Sequence, residues 1–264
     1  MSDTYEIYAV RYGHHDRKAH DNFLGGDPHD NGPMPLDYFV WAIVGEDRTF
    51  VLDTGFAPDM AKRRGRELVR PVADGLKAIG VDPVSVRDVI VSHMHYDHAG
   101  NIPLFPNARF HIQDAEMEYV TGRSMCHATL RGAFEAEHVS HMVHRVFEDR
   151  VQFHDGDAEL APGITLHHVG GHTKGLQVTR VKTQRGWVVL ASDAAHLFAN
   201  MERAIPFPIV VDVDDYLEAF RTIRRLATSE AHIVPGHDPL VLTRYPLAKP
   251  GLAGIVRLDA GPKG

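Results

Sequence analysis

Cysteine is almost absent from this sequence: Cys126 is the only one in 264 residues. No intrachain disulfide can form, and no cluster of thiolates can hold a metal. Long apolar runs are missing too, since no stretch approaches the ~18 consecutive apolar residues that a membrane span needs. The opening segment, residues 1–6, has neither a basic region nor an apolar core of the kind that directs export. The expected setting is therefore the cytoplasm, with no membrane partner. Positive charge is in deficit as well. With 28 Lys plus Arg against 35 Asp plus Glu, the formal charge is -7, which offers no general attraction to a phosphate backbone and argues against nucleic acid as a partner.

Histidine is abundant, at 19 residues. Its special uses are metal ligation and proton transfer, and with thiolates excluded any metal must be held by nitrogen and oxygen. A hydrophobic content of 44% is enough to bury a sizeable core, and one domain over residues 1–264 is expected.

Apolar runs bounded by turn residues predict strands at 5–12, 38–44 and 49–52, the last ending at Asp53-Thr54-Gly55. The Gly, Pro, Asp and His-rich stretch 14–35 between them reads as a long loop able to form part of a pocket, with His14, His15, His20, Phe23 and His29 placed to fold over a site. A helix is expected over 59–79, carrying Arg63, Arg64, Arg66 and Arg70, followed by a buried strand at 86–91. Further strands are expected near 109–112, 151–153, 164–169, 177–182, 187–191 and 232–234. Helices are expected across a helical insertion at 114–149 and again over 213–228, and the Pro-rich tail after Tyr245 reads as a loosely packed terminus. This alternation predicts an α/β (α+β) chain in which two β-sheets are sandwiched between helices.

Immediately after the strand at 86–91 comes His93-Met94-His95-Tyr96-Asp97-His98. Four potential ligands in six residues cannot easily surround one tetrahedral ion, so two adjacent sites are the better reading. The missing ligands have sources at the ends of later strands: His172 after Gly170-Gly171, Asp193 after Ala191-Ser192, and His237 after Pro235-Gly236. Each sits beside small residues, as a crowded site requires.

The order and spacing of these seven residues resemble the metallo-β-lactamase superfamily and, within it, the N-acyl-homoserine lactonases that quench quorum sensing. The resemblance runs from Asp53 to His237 and implies the four-layer αββα fold. It implies that His93, His95 and His172 hold one divalent ion, that Asp97, His98 and His237 hold another, and that Asp193 bridges them, with Asp53 orienting a ligand histidine. Zinc is the first choice of metal, although Mn²⁺, Fe²⁺ or Co²⁺ would also suit such ligands. The implied activity is opening of a lactone ring, in an N-acyl-homoserine lactone or another small lactone, by a hydroxide shared between the two metals. Asp97 or Asp193 would pass the nucleophile's proton towards the departing alkoxide. A homodimer is common in such proteins.

In the lactonases a tyrosine three positions after the bridging aspartate commonly contacts the substrate. This sequence has His196 there, read either as packing beside the site or as donating a hydrogen bond to the substrate in the tyrosine's place. Met117, Tyr119, Met125, Phe134, Met142 and Phe147 read as core before acyl-chain groove. Phe198, Met201, Phe207 and Ile209 are similar candidates, and His138, His141 and His144 read as a solvated helix face. Two alternatives stay open: a glyoxalase II-like thioester hydrolase, and a non-catalytic metal-binding protein. An exported β-lactamase, a nuclease with a basic surface and a flavodiiron oxidoreductase each lack their expected features here.

Overall fold

The computed structural model describes residues 4–263; residues 1–3 of the opening segment lie outside the described residues. Strands β1 (Glu6–His15), β2 (Leu36–Val44), β3 (Thr49–Leu52), β4 (Glu67–Leu68), β5 (Asp88–Ile90), β6 (Arg109–Gln113) and β7 (Val151–His154) build a first sheet. A second sheet holds β8 (Ala158–Ala161), β9 (Ile164–His168), β10 (Gln177–Thr183), β11 (Gly186–Ser192) and β12 (Ile233–Pro235), and the last strand, β13 (Ile255–Arg257), returns to the edge of the first. The order is β13-β1-β2-β3-β5-β6-β7, with β4 pairing β1, and β12-β11-β10-β9-β8. β3, β5, β6 and β7 run parallel, as do β11 and β12.

The period-2 geometry of strands sorts the two faces of the first sheet. In β2, Phe39, Trp41 and Ile43 enter the core between the sheets, while Tyr38, Val40 and Ala42 enter a second core beneath the outer helices. Because both faces are buried, β2 reads from Tyr38 onward as an apolar run with no polar alternation. Helices α1 (Pro58–Arg64), α2 (Val72–Ala78), α3 (Asp114–Thr121), α4 (Ala128–Arg131) and α5 (Ala136–Phe147) lie on the first-sheet side. On the other side are α6 (Phe198–Arg203), α7 (Val213–Leu226) and α8 (Leu240–Arg244). α7 is capped by Asp212, whose carboxylate accepts from the backbone of Asp214 and Asp215, and it packs Tyr216, Ala219, Phe220 and Ile223 onto the core. Among the described residues, no helix is long and apolar enough to cross a membrane.

Several expectations need correction. The helix over 59–79 is two short helices separated by β4. Gly65, at φ 62, closes α1 in the left-handed conformation, and Pro71 precedes α2. The loop at 14–35 begins two residues late, because His14 and His15 belong to β1. The tail is not loose: β13 pairs with Tyr8, Ala9 and Val10, and Ile255, Val256 and Leu258 are fully buried. The face carrying His138, His141 and His144 is not uniformly solvated, since His138 is buried beside Met142. Phe147, grouped with core residues, is 86% exposed.

Candidate metal centre

The carboxyl ends of strands from both sheets converge on one place. β3 delivers Asp53, β5 delivers residues 93–98, β11 delivers Asp193 and β12 delivers His237, while His172 sits in the turn between β9 and β10. All seven expected ligands are buried. His93, His95, His172 and Asp193 bring ligand atoms together, as do Asp97, His98 and His237; a third grouping is Asp193, His196 and His237.

Asp193 stands between the groups. Its Oδ2 lies 3.0 Å from His172 Nε2, 3.0 Å from His196 Nε2 and 3.7 Å from His93 Nε2. Its Oδ1 lies 2.9 Å from His237 Nε2 and 3.2 Å from His98 Nε2. One oxygen faces each set. Asp97 Oδ2 approaches His98 and His237 at 3.7 and 3.8 Å.

The outward-facing ring nitrogens decide what these imidazoles offer inward. His98 Nδ1 meets Asp53 Oδ2 at 2.7 Å, His172 Nδ1 meets the Ile209 carbonyl at 2.7 Å, and His237 Nδ1 meets the Asp37 carbonyl at 3.0 Å. These partners only accept, so each ring places its proton on Nδ1 and, when neutral, turns a bare Nε2 inward. The hydroxyl of Ser92 gives its proton to Asp53 at 2.8 Å and so accepts from His93 Nδ1 at 3.0 Å. Tyr216 donates to the Asp193 carbonyl at 2.7 Å and accepts from His196 Nδ1 at 3.0 Å. His95 is reversed, with Nδ1 inward at 2.9 Å from Nε2 of both His93 and His172. The inward Nε2 of His98 is buried and has no hydrogen-bond partner.

With the rings neutral, lone pairs and carboxylate oxygens thus converge on one space, which is the donor set of a divalent cation. The electrostatics divide these imidazoles. Burial, reinforced by neighbouring imidazoles, drives His93 and His95 well below the ordinary range. Burial also opposes charge on His98 and His237, but Asp193 with its fellow carboxylates overrides it and raises both. Asp193 itself is held well below the usual carboxylate range, burial being outweighed by His196, His98, His237 and His172.

Supporting groups lock the loops. Asp53, at φ 63, accepts from Ser92 N as well as from Ser92 Oγ and His98. Glu116, fully buried at the start of α3, accepts from Met94 N at 2.8 Å, Thr173 Oγ1 at 2.7 Å and Gly175 N at 3.0 Å, tying the two ligand loops together. Burial raises its pKa against those three donors. The close approach requires glycine at 175, where a Cβ would stand 2.1 Å from the Glu116 nitrogen.

A cavity of about 220 Å³ opens onto the site, and His95, Asp97, His172, Asp193, His196 and His237 line it. His196 is stacked on Phe207 at 3.7 Å and 5°, and burial lowers its pKa to about 3 despite Asp193. From the loop expected to cover the site, Arg17 lines the cavity and the five residues singled out there do not; Phe207 and Ile209 line it, whereas Phe198 and Met201 do not. From the 114–149 stretch the lining comes from Thr129, Leu130, Gly132 and Ala133, while Met117, Tyr119, Phe134 and Met142 are buried in the core. Sequence reasoning missed Glu116, Tyr216, Arg17 and the lining role of Arg64 and Arg66.

A family model described as the metallo-beta-lactamase superfamily matches residues 34–237. The chain belongs to this superfamily. An N-acyl homoserine lactonase from a Bacillus species is 30% identical over 223 residues, covering 77% of this chain and 82% of that protein. The N-acyl homoserine lactonase AttM of Rhizobium johnstonii is 31% identical over 267 residues, covering 93% and 97%. A crystal structure of a quorum-quenching N-acyl homoserine lactone lactonase superposes with a TM-score of 0.73 at 23% identity, over 91% of this chain and 94% of that one. The dizinc quorum-quenching lactonase AidC, in complex with a product, gives 0.71 at 15% identity over 100% and 99%. Likeness at such identities speaks to the fold, and it is the αββα arrangement of the superfamily: two sheets face to face with helices outside.

Proposed function

We propose that this superfamily hydrolase opens the ring of a small lactone. In this reading His93, His95 and His172 hold one divalent ion and Asp97, His98 and His237 a second, with Asp193 shared. The observation that carries it is the pair of Asp193 oxygens, one turned to each set of inward ring nitrogens. Two such ions, when bound, supply an acidified water as nucleophile and polarise the carbonyl under attack.

The chain's own residues do the rest. Tyr12 donates to the Asp97 carbonyl at 2.7 Å and so fixes the backbone that carries the Asp97 carboxylate at the cavity floor. The Asp97 carboxylate takes the proton released on attack and returns it to the departing alkoxide, so one group serves as base and then as acid. His196, oriented by Tyr216 and Phe207, meets the substrate through Nε2. The relatives that are N-acyl homoserine lactonases support the reaction class.

The test is a pH-indicator assay of zinc- or manganese-loaded protein on γ-butyrolactone, short N-acyl homoserine lactones and a hydroxyacyl thioester, before and after chelation. Lactone turnover that chelation abolishes is expected. Faster thioester than lactone turnover would favour the glyoxalase II-like alternative, and inertness on all three would leave a metal-binding protein. Asp97→Asn is expected to lower kcat at least 100-fold with Tm within a few degrees; a normal kcat with metal bound refutes its role.

A further inference from the structure

Three arginines line the cavity, and they are not equivalent. Arg64 is neutralised by Glu135 at 2.6 Å and lies 4.0 Å from the centre of the Tyr96 ring. Arg17 and Arg66 are held differently. Arg17 donates from Nε to Asn22 Oδ1 at 2.7 Å and from Nη2 to the Asp21 carbonyl, with its guanidinium 5.1 Å from the Phe207 ring centre. Arg66 donates from Nε to the Tyr96 hydroxyl at 3.1 Å and from Nη1 to the Arg64 carbonyl at 2.7 Å, with His15 Nε2 at 3.1 Å.

Every one of these acceptors is uncharged. Among the described residues, no carboxylate lies within 4.0 Å of either guanidinium. The acids beside Arg17 in sequence are turned elsewhere, Asp16 to His14 at 3.3 Å, and Asp21 to His20 at 3.2 Å and to the Lys18 backbone. Among the described residues, Arg17 Nη1 and Arg66 Nη2 have no hydrogen-bond partner.

Positioning without neutralisation is costly for half-buried cations, and these two also repel each other. Burial works against the charge of Arg17, with Asp21 and Tyr38 offsetting part of it and Arg66 adding to it, whereas at Arg66 the Tyr38 and Tyr96 hydroxyls and the more distant Asp97 outweigh burial. His15, between them, is pushed down to about 4 by burial and then by Arg66 and Arg17, so it adds no positive charge. In a chain of net charge -7, two guanidiniums that line one cavity with no carboxylate in direct contact mark a place for a negative ligand group, and a planar fork suits an oxyanion.

We infer that the substrate carries an anionic oxygen group, a carboxylate or a phosphate, which Arg17 and Arg66 receive while the lactone carbonyl faces the metal centre. The inference rests on the lactone-hydrolase reading of the same site. Because the arginines and the metal-ligand candidates line the same cavity, the charged group is placed on or near the lactone ring.

The test compares kcat/KM of zinc-loaded protein for γ-carboxy-γ-butyrolactone and its carboxamide, and for a phosphorylated aldonolactone and its unphosphorylated parent. The acid is expected to exceed its neutral twin at least tenfold in one pair, and which pair responds identifies the anion. Arg17→Gln and Arg66→Gln should each reduce that acid-to-neutral ratio about tenfold, as loss of one charge-assisted contact would. The advantage should also shrink with added salt. Neutral and N-acyl lactones turned over as fast as both anionic ones would overturn the inference and leave the lactonase reading standing. If no lactone is turned over, the lactonase reading fails. The arginines are then judged by calorimetric binding of tetrahydrofuran-carboxylate to the metal-loaded wild type and variants. Affinity at least tenfold weaker in either variant supports anion recognition, and unchanged affinity in both overturns it.

Discussion

Replacing Asp53 by Asn removes a single charge and almost no volume, yet it strikes the most committed acceptor in the site. Three donors meet its two oxygens: Ser92 N at 2.8 Å on Oδ1, and Ser92 Oγ at 2.8 Å and His98 Nδ1 at 2.7 Å on Oδ2, all in a residue with no exposure. Asparagine brings one acceptor oxygen and an NH₂ group that donates. If its oxygen takes the Oδ2 place, the NH₂ group confronts the Ser92 N–H and orphans a buried donor. If it takes the Oδ1 place, His98 is driven to accept at Nδ1, and its proton moves to the Nε2 that should face the metal. An orphaned buried donor costs about 1–3 kcal/mol and the change from charged to neutral bonds about 1 more, so a loss of about 2–4 kcal/mol is expected. For a chain of this size that corresponds to a Tm lowered by roughly 5–15 °C. Metal affinity should fall about 10–100-fold, the usual cost of disturbing a ligand's orienting partner. Asparagine tolerates the left-handed backbone at φ 63, so the substitution isolates hydrogen bonding from strain. Thermal unfolding of the metal-free protein reads the first quantity and competition with a chromophoric chelator the second. A metal-free Tm within about 2 °C of wild type together with unchanged competition would refute the reasoning.

His196→Phe keeps the stack on Phe207 but deletes Nε2 and the donor to Tyr216; kcat/KM on the best lactone should fall at least tenfold, and unchanged kinetics would reduce His196 to packing. Gly175→Ala forces a Cβ against the Glu116 backbone and should cost about 3 kcal/mol, read as a lowered urea midpoint; an unaltered midpoint would mean that the two ligand loops are not held as tightly as described. His14 carries a pH-linked contribution. Burial alone would lower its pKa, but the hydrogen bond to Asp37 at 2.7 Å outweighs it and raises the value. The stabilisation is therefore complete below the ordinary value near 6.5 and fades as pH rises through the higher folded value. Wild type minus His14→Gln, measured by urea unfolding at pH 6 and pH 9, should shrink with pH, and a constant difference would contradict the assignment.

The donor residues were legible because their chemistry lies in side-chain type and short spacing. A run of four ligands in His93 to His98 needs no tertiary information, and His172, Asp193 and His237 each follow an apolar strand. What the sequence concealed depends on contacts between distant segments. Arg17 and Arg66 meet at one cavity because β4 pairs with Gly13 and His14 of β1, a pairing of two residues that no periodicity announces. The arginines at 63, 64, 66 and 70 suggest one continuous helix until Gly65 is seen to reverse the backbone. β13 hides in a Pro-rich tail because three residues are too few to display alternation. Tyr216 reads as one more apolar position on α7, and only its place under Asp193 reveals that its hydroxyl sets the proton of His196.

The donors hang from the ends of strands in both sheets, and this governs when a metal can act in the life of the chain. Between Asp53 and His237 nearly every long-range pairing must already exist before the nest of lone pairs does. The full set of seven therefore forms only with the finished structure, which a bound ion would favour by mass action. Without it, Asp193 faces His98 at 3.2 Å and His237 at 2.9 Å and favours a proton on each, so loading the site should release protons.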